Sequence, residues 1–496
     1  MSTFSALLPS ILLTAGLLAV LFADVLAKGK RPLVLPWISG AALVAVAVFA
    51  LSALLNGQAS DRVLLGALRI DKFALVMTLF FAVSGFVSIL ATLVGEADRR
   101  PGGEFHALVL GAVLGMSVLS AAVDLVTLYL AFEMVSITGY VLVGMRRADR
   151  LANEASMKYV LFGALSSGLM LYGLSMLVGL SGGTSLEAVR VAVLHGASHQ
   201  PIFVAAIVLV FAGFAFKVSA VPFQFWAPDV YQGAPTAVGG FLAVASKAAG
   251  FAALVRVAGP LGAAGAAASD PTSAFLPWSG PMAAILSLSA VVTMTVGNLA
   301  ACRQTDLKRL LAYSSIAQAG YMLMALSVWT PLAVEALVFY LVAYLFMNLA
   351  AFLIAGLVIR ETGTSDLAGL AGLGYRRPWL AASFTIVMLS LTGIPPMFGF
   401  VGKLILFRAV IEQGYLWFAV VGLLNGAISL YYYAKPLLRM YLDDVDPAAA
   451  PAAKPLGAGA IVLACVLVVP VAALFLCWGP FSTWMHAVVP TLGAKP

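Results

Sequence analysis

Fourteen long apolar runs, separated by short polar gaps, fill the 496 residues of this chain. A helix needs about 20 apolar residues to cross the hydrocarbon core of a bilayer. Inside lipid each backbone amide must be hydrogen-bonded within its own segment, which makes a helix the expected structure of such a run. The sequence therefore predicts an all-α polytopic membrane protein with about 14 transmembrane helices. The predicted spans are 5–27, 33–55, 71–94, 106–122, 124–146, 153–180, 201–226, 231–257, 278–301, 306–329, 332–359, 379–411, 415–442 and 456–479.

Composition supports this prediction and narrows the class of protein. Hydrophobic residues make up 62% of the chain and charged residues 10%, which is more apolar surface than a soluble domain of this size could bury. No basic segment precedes the first apolar run, so we expect that run to be retained as a helix and not removed as a signal peptide.

The net charge of +7 is distributed unevenly between alternate loops. One set of loops holds most of the Lys and Arg residues, with clusters at 28–31, 146–150 and 376–377. Basic loops tend to stay in the cytoplasm, so the pattern predicts that both termini lie on the outer side of the membrane. The basic excess is thus a topology signal, and we expect no nucleic-acid binding.

Two predicted spans contain helix breakers close to a lysine. The seventh holds Pro222 just after Lys217, and the twelfth holds Pro395 and Pro396 before Lys403. Broken membrane helices usually line a cavity, because the freed backbone groups need neighbouring helices or water. The breaks are five spans apart, so the two helices run in opposite directions, as in inverted repeats of about five helices. Two unrelated proline kinks are the alternative.

Four charged residues lie deep inside predicted spans, namely Glu133, Lys217, Lys247 and Lys403. Each costs about 2.5–3.5 kcal/mol at the centre of a helix on insertion scales, and such residues usually serve function. Structural alternatives remain open: Glu133 and Lys217 could anchor two helices as a bonded pair, and Lys403 could extend to the outer headgroups.

The chemistry of these groups is that of acids and bases. Burial favours the neutral form of a carboxyl or an amine, whereas a nearby opposite charge favours the ionised form. Glu133 and Lys217 could therefore exchange protonation states when the distance between them changes. Glu154 and Lys158, four residues apart on one helix face, are either a simple interfacial ion pair or modulators of that couple. We expect proton transfer along the membrane.

No sequence motif indicates a nucleotide, a redox centre or a metal, so we expect no cofactor and no metal in this chain. The four histidines lie away from the middle of the spans, and the three cysteines have no disulfide or metal spacing. Lys435 is expected to extend to the cytoplasmic interface, while Glu335, Asp124 and Asp24 are expected to be solvated carboxylates at helix ends.

Three segments resemble the proton-pumping, antiporter-like subunits of respiratory complex I. KVSAVPFQFWAPDVYQGAPT at 217–236 is similar to the seventh-helix signature of that family. NLAACRQTDLKRLLAYSSIAQAGY at 298–321 is similar to its stretch between helices nine and ten, and LTGIPPMFGFVGK at 391–403 to its broken twelfth helix. The resemblance covers residues from about 70 to 440. The VYQGAP segment, the fourteen-helix length and the lysine at 403 are typical of the N-type branch.

The resemblance implies a domain organisation. Helices 4–8 and 9–13 would form two inverted five-helix repeats, with broken helices 7 and 12, between three N-terminal helices and one C-terminal helix. The corresponding segments are 1–105, 106–258, 277–442 and 443–496 in that order.

The resemblance also implies roles and partners. Glu133 and Lys217 would be the proton-input pair, Lys247 the connecting lysine and Lys403 the outlet group. The chain would work within NADH:quinone oxidoreductase, among lipids and beside other antiporter-like and small membrane subunits. FMN, the iron–sulfur clusters and quinone would belong to partner subunits.

Two other functions share parts of this pattern. A subunit of a multi-subunit cation/proton antiporter of the sodium-resistance type would have the same helices and buried charges. A purely structural subunit of a membrane arm would use the charges only for helix packing. Four ionisable groups at the centres of helices are an energetically costly way to pack helices, which disfavours this function.

Overall fold

Helices make up nearly all the regular structure in the computed structural model, which describes residues 3–27, 34–58, 60–64, 66–95, 101–262, 281–443 and 456–488. Both chain termini, whose side of the membrane the sequence predicts, lie outside the described residues. The all-α polytopic fold predicted from the sequence is confirmed. Among the described helices, twelve are long and apolar enough to cross a membrane, and the total of fourteen stays a prediction.

The N-terminal part consists of three helices and a small hairpin. The hairpin joins the second helix to the third through two short antiparallel strands, which the hydropathy pattern did not predict. The bounds are α1 (Thr3–Leu26), α2 (Val34–Leu55), β1 (Ser60–Val63), β2 (Leu68–Ile70) and α3 (Lys72–Gly95).

The next part contains the first broken helix. Its bounds are α4 (Gly103–Ala121), α5 (Leu125–Val143), α6 (Arg150–Ser181), α7 (Leu186–Leu194), α8 (Pro201–Val218), α9 (Trp226–Gly233), α10 (Thr236–Phe241) and α11 (Lys247–Gly262). One π-helical segment, Leu242–Ser246, joins α10 to α11 and ends at Lys247. An 18-residue stretch within the span Thr236–Gly259 is completely buried in the protein.

The remaining part contains the second broken helix. Its bounds are α12 (Pro281–Cys302), α13 (Leu307–Leu326), α14 (Pro331–Thr362), α15 (Leu373–Arg376), α16 (Pro378–Thr392), α17 (Phe398–Ile411), α18 (Leu416–Leu442), α19 (Ala458–Leu476) and α20 (Trp478–Val488). Helix α14 packs against α13, α16, α17 and α19, so it lies at the centre of this part.

Both predicted breaks occur where the proline residues stand. Helix α8 ends at Ser219 with a left-handed φ of 60°, and α16 ends at Gly393 with a φ of 91°. Extended or turn residues follow each end, and they include the cis bonds before Pro222 and Pro396. Each break thereby exposes the carbonyl end of one half-helix within the bundle.

The two halves of the fold share a local motif. Asp124 at the start of α5 pairs with Ser185, and Asp306 at the start of α13 pairs with Asp366, each through an isolated antiparallel bridge. Both aspartates also cap the helix that follows them, by accepting hydrogen bonds from its first free N–H groups. The organisation into two inverted repeats itself stays a prediction.

One predicted loop contains a helix. The predicted spans leave 181–200 as a loop between two helices, and this prediction was wrong because the segment contains α7 and a 3₁₀ turn at Ala197–His199. Leu186, Val189 and Val193 recur on one helical face and are buried against the bundle, which stabilises the helix. Most of the other long predicted loop, 259–277, lies outside the described residues.

A buried ion pair connects the N-terminal part to α11. The guanidinium of Arg256 donates to both carboxylate oxygens of Asp71 at 2.6 Å, and its Nε donates to the carbonyl of Ser120. Both charged side chains are less than a tenth exposed. Nothing in the local sequence identifies Asp71 as the partner of Arg256. The pair fixes the end of α11 against α3 and α4.

Candidate functional site

Glu133 lies near the middle of α5 at a partly exposed position. Its carboxylate accepts a hydrogen bond from the hydroxyl of Ser167 on α6. Large apolar side chains on both helices, including Leu130, Ile137 and Leu165, are exposed around it. In this chain alone, the carboxylate therefore faces the rim of the bundle and not its centre.

Lys217 is buried at the last turn of α8, just before the first break. Its ammonium donates to the hydroxyl of Ser136 at 2.8 Å and lies 4.8 Å from the centre of the Phe132 ring. Ser136 is three residues after Glu133 on α5, so the ammonium lies one helical turn from the carboxylate and within its electrostatic range. Sequence reasoning missed Ser136 because serines are common in membrane helices.

The stem of Lys217 rests against Gly250 on α11. A Cβ at that position would lie 2.9 Å from Cγ of Lys217, so only glycine permits this close approach. Gly250 is one helical turn after Lys247. The break of α8 and Lys247 are consequently neighbours in space.

Lys247 is buried at the end of the π-helical segment, which the sequence did not predict. Its ammonium donates to both the hydroxyl and the carbonyl of Ser315 on α13, each at 2.6 Å. The extra residue in a π turn displaces one carbonyl from the regular ladder, and such turns often occur at functional sites. Lys247 thus connects the first half of the fold to the second.

Lys403 is buried on α17, beyond the second break. Its ammonium donates to the carbonyls of Leu391 and Thr392 at 2.9 and 2.8 Å, which are the last carbonyls of α16. It also lies 4.7 Å from the centre of the Tyr321 ring. The free carbonyls at a helix C-terminus carry partial negative charge, so the break itself binds the cation.

A chain of hydrogen bonds connects the neighbourhood of Lys247 to Lys403. Ser314, adjacent to Ser315 on α13, is 2.5 Å from the hydroxyl of Tyr433. The amide of Gln318 donates to that hydroxyl at 3.1 Å and to the carbonyl of Leu391 at 3.0 Å. That same carbonyl accepts from Lys403. Sequence reasoning found the two lysines but none of the three residues between them.

The polar residues of α5 and α13 occupy matching positions. Glu133 stands nine residues after the capping Asp124, and Ser315 stands nine residues after the capping Asp306. Counting twelve residues from the same caps gives Ser136 and Gln318. Ser136 and Ser315 each accept from a lysine, Gln318 donates to a carbonyl that a lysine shares, and Glu133 lies within electrostatic range of Lys217.

Lys158 belongs to a charged cluster at one end of the bundle. Its ammonium contacts Glu154 at 2.8 Å and Asp229 at 2.6 Å, and Asp229 also accepts from Arg309 at 2.5 Å. The ion pair with Glu154 is the one that the spacing predicts. Asp229, which sequence reasoning missed, bridges α6, α9 and α13, so the cluster links both halves of the fold beside the first break.

Two other expectations concern charges near helix ends. The prediction that Glu335 is solvated was wrong. Helix α20 covers its carboxylate, which is buried and contacts His486 at 2.8 Å. Lys435 donates to the carbonyl of Cys302 at the end of α12.

Within the described part of the chain, no group of three or more His, Cys, Asp or Glu residues could hold a metal ion.

These features define a class of protein. The chain is a polytopic α-helical membrane protein of the antiporter-like type, with two broken helices and ionisable groups beside each break. A family model described as "NADH:quinone oxidoreductase/Mrp antiporter, TM" matches residues 122–429. The chain belongs to that family.

Comparison with individual proteins gives a more specific result. The chain is 39% identical over 448 residues to "NADH-quinone oxidoreductase subunit N 2" of Chloroherpeton thalassium, covering 89% of this chain and 86% of that protein. It is 32% identical, with a TM-score of 0.76, to a chain of respiratory complex I from Thermus thermophilus with bound aureothin, covering 96% and 98% of the two chains. The resemblance to the N-type branch is confirmed.

A more distant structure shares the fold. A chain of the Mrp complex from Dietzia sp. DQ12-45-1b has a TM-score of 0.85 and 21% identity, with 99% of this chain and 98% of that chain covered. At this identity the similarity shows the fold alone.

Proposed function

We propose that this chain is a proton-translocating subunit in the membrane arm of an NADH:quinone oxidoreductase. Its family and its similarity to proteins named subunit N support this function. The observation that carries the proposal is the set of three buried lysines, each hydrogen-bonded to a hydroxyl or a backbone carbonyl within the bundle, with Glu133 in electrostatic range of the first.

The first step concerns Glu133 and Lys217. The carboxylate favours the charged form of the lysine, and burial opposes that form. A charge displacement from a neighbouring subunit that draws Glu133 away would weaken this attraction, and Lys217 would release its proton. Ser136, which accepts from the ammonium, provides an oxygen that can receive and pass on that proton.

The second step carries the proton to Lys247 and then towards Lys403. Lys247 is bound to Ser315 on α13, and the hydroxyl of the adjacent Ser314 is hydrogen-bonded to that of Tyr433 on α18. Hydroxyls can both donate and accept, so a proton can enter at one lone pair while another leaves. Gln318 orients Tyr433 and the carbonyl of Leu391, but its amide does not itself titrate.

The third step ends at Lys403. Its ammonium is held by two backbone carbonyls at the break and not by a carboxylate. When Lys403 gains a proton, its positive charge can act on the next ionisable group along the membrane arm. When Lys403 is deprotonated, the proton is released from this chain. Glu154 and Lys158 modulate the first step through Asp229, which joins their helix to the broken one.

Partner subunits complete the system. The exposed apolar side chains around Glu133 and Ser167 fit a neighbouring membrane subunit, which would enclose the carboxylate and transmit the charge displacement. We expect FMN, iron–sulfur clusters and quinone to reside in other subunits, and the chain to lie in a bacterial inner membrane with both termini periplasmic.

The experiment compares coupled activities in the assembled complex. We expect Glu133→Gln and Lys217→Ala to reduce the proton gradient of membrane vesicles by about tenfold or more, while the complex still assembles and oxidises NADH. Arg190→Gln on the surface helix α7 serves as a control because it removes only an exposed ion pair. Normal proton pumping in both site variants would disprove the mechanism.

A cation/proton antiporter subunit is the second candidate, because the description of the matching family also names Mrp antiporters. Purification of the native complex separates the two functions. Flavin and iron–sulfur subunits that co-purify with the chain would support the first, whereas sodium-dependent proton release in a complex without them would support the second.

A further inference from the structure

Asn348 and Tyr344 are fully buried polar residues on α14. Both amide atoms of Asn348 and the hydroxyl of Tyr344 lack a hydrogen-bond partner within the part of the chain that the structure describes. Buried polar side chains are almost always hydrogen-bonded, to protein or to an ordered water. Two such residues one helical turn apart therefore indicate a place where a small polar ligand binds.

The two residues belong to one face of α14. Tyr340, Tyr344, Asn348 and Phe352 follow one another at intervals of four residues, so they form a stripe ~18 Å long. At one end Tyr340 donates to the side-chain oxygen of Gln318 at 2.5 Å. At the other end the Phe352 ring packs edge-on against Tyr231 of α9. The unpaired groups lie between these two contacts.

The connecting lysine borders the same space. The hydroxyls of Tyr231 and Tyr344 lie within interaction range of the Ser315 hydroxyl, without a hydrogen bond of regular geometry. Ser315 is the residue that accepts from Lys247. Ser219, in the first break, is also buried without a partner among the described residues and lies near Tyr231. Polar groups from α9, α13, α14 and the first break thus converge beside Lys247.

The space also has a direction. Tyr231 stands two residues after Asp229 on the short helix α9, and Asp229 binds Lys158 and Arg309 at the charged end of the bundle. The stripe on α14 therefore extends from the Gln318 chain, past Lys247, towards the helix that holds the charged cluster.

We propose that Tyr231, Tyr344 and Asn348 form a water-binding site through which Lys247 exchanges protons with the charged end of the bundle. Asn348 is a positioning residue, because its amide can donate to one water and accept from another. Each bound water accepts one proton and releases another, so the lysine changes by one proton and the water by none. The role in pumping rests on the proposed function, whereas hydration of the site does not.

The first test measures water access in the intact complex in membrane vesicles. In a background with Cys302, Cys465 and Cys477 replaced by Ser, the variant Asn348→Cys is treated with 2-aminoethyl methanethiosulfonate, which reacts with thiolates in water. Ala350→Cys is the matched control, since Ala350 is equally buried on the same helix but off the stripe. We expect Asn348→Cys to react about tenfold faster. Equal, slow reaction at both positions would overturn the site.

The second test measures the role of Asn348. We expect Asn348→Leu, of similar size but apolar, to lower proton pumping per NADH by roughly threefold, while Asn348→Ser, which keeps a polar group and room for water, preserves it. Tyr344→Phe removes one hydroxyl and is expected to lie between them. Equal pumping in the Leu and Ser variants would overturn the positioning role.

The two tests separate this inference from the proposed function. Normal pumping in Lys217→Ala would disprove the proposed function, but the labelling of position 348 would still decide whether the site is hydrated. Conversely, lost pumping in Lys217→Ala together with unreactive Asn348→Cys would retain the proposed function and reject the water site.

Discussion

The two proposed repeats place different chemistry at equivalent positions. In the first, α5 carries Glu133 nine residues after its capping aspartate, whereas α13 carries Ser315 at that distance in the second. The carboxylate acts on Lys217, and the serine binds Lys247 through a hydroxyl and a backbone carbonyl. The first repeat can therefore respond to a displaced charge, while the second offers neutral oxygens.

The lysines at the two breaks show the same contrast. Lys217 precedes its break and contacts one hydroxyl and one aromatic ring, whereas Lys403 follows its break and is held by two carbonyls of the preceding half-helix. Backbone carbonyls have fixed positions and no titratable proton. A cation in the second repeat is thus stabilised by the fold itself, and one in the first repeat depends on a side chain that can move.

The largest expected effect concerns the anchor of the first repeat. Arg256→Met leaves Asp71 as an unpaired buried charge, which should destabilise the protein by about 3–5 kcal/mol. The double variant Asp71→Leu with Arg256→Met should recover much of this loss, since no charge remains unpaired. Thermal unfolding of the purified complex measures both. A double variant as unstable as the single one would contradict this explanation.

Replacement of Lys403 tests the outlet of the second repeat. Lys403→Ala should reduce proton pumping by about tenfold or more, because the carbonyls of the break remain but no group can carry the proton. Vesicle proton gradients, normalised to NADH oxidation, provide the measurement. Lys435→Ala, which removes a lysine bound at a helix end, is the control and should pump nearly normally. Equal losses of proton pumping in the Lys403 and Lys435 variants would contradict the assignment of Lys403 as the outlet group.

Ser315→Glu would make the second repeat resemble the first. A carboxylate beside Lys247 should hold the lysine in its charged form and slow its release of protons, so pumping should decrease by about tenfold, equivalent to roughly 1.4 kcal/mol. Ser315→Gln has a similar size without the charge and should impair pumping less. If the two variants behave alike, the steric effect explains the loss and the electrostatic contrast between the repeats is not supported.

The smallest effect is expected at the helix ends before the breaks. Gly393→Ala should destabilise the protein by about 1 kcal/mol, because φ is left-handed and the new Cβ would lie 2.8 Å from Cδ of Lys403. Ser219→Gly at the matching position of the first break should be neutral or slightly stabilising. Thermal unfolding of both variants tests this, and an unaffected Gly393→Ala would contradict it.

The sequence predicted the elements and charges that have a strong local signal. Apolar runs of membrane-spanning length gave the helices, and Pro222 and Pro396 marked both breaks, since proline ends a helix by its own covalent structure. Glu133 and Lys217 were found because a charge inside an apolar run is rare. The prediction of a loop at 181–200 was wrong because burial of three side chains against the bundle stabilises α7 there.

The sequence by itself thus determined which segments enter the membrane, where two of them break and which ionisable groups lie inside them. These properties depend on hydropathy and backbone chemistry within a few residues. Only the tertiary structure decided the partners: Ser136 for Lys217, Ser315 for Lys247, the carbonyls of α16 for Lys403 and Asp71 for Arg256. Serines and carbonyls are common along the chain, and helix packing alone selects the few that meet a charge, such as Ser315, which is 68 residues from Lys247.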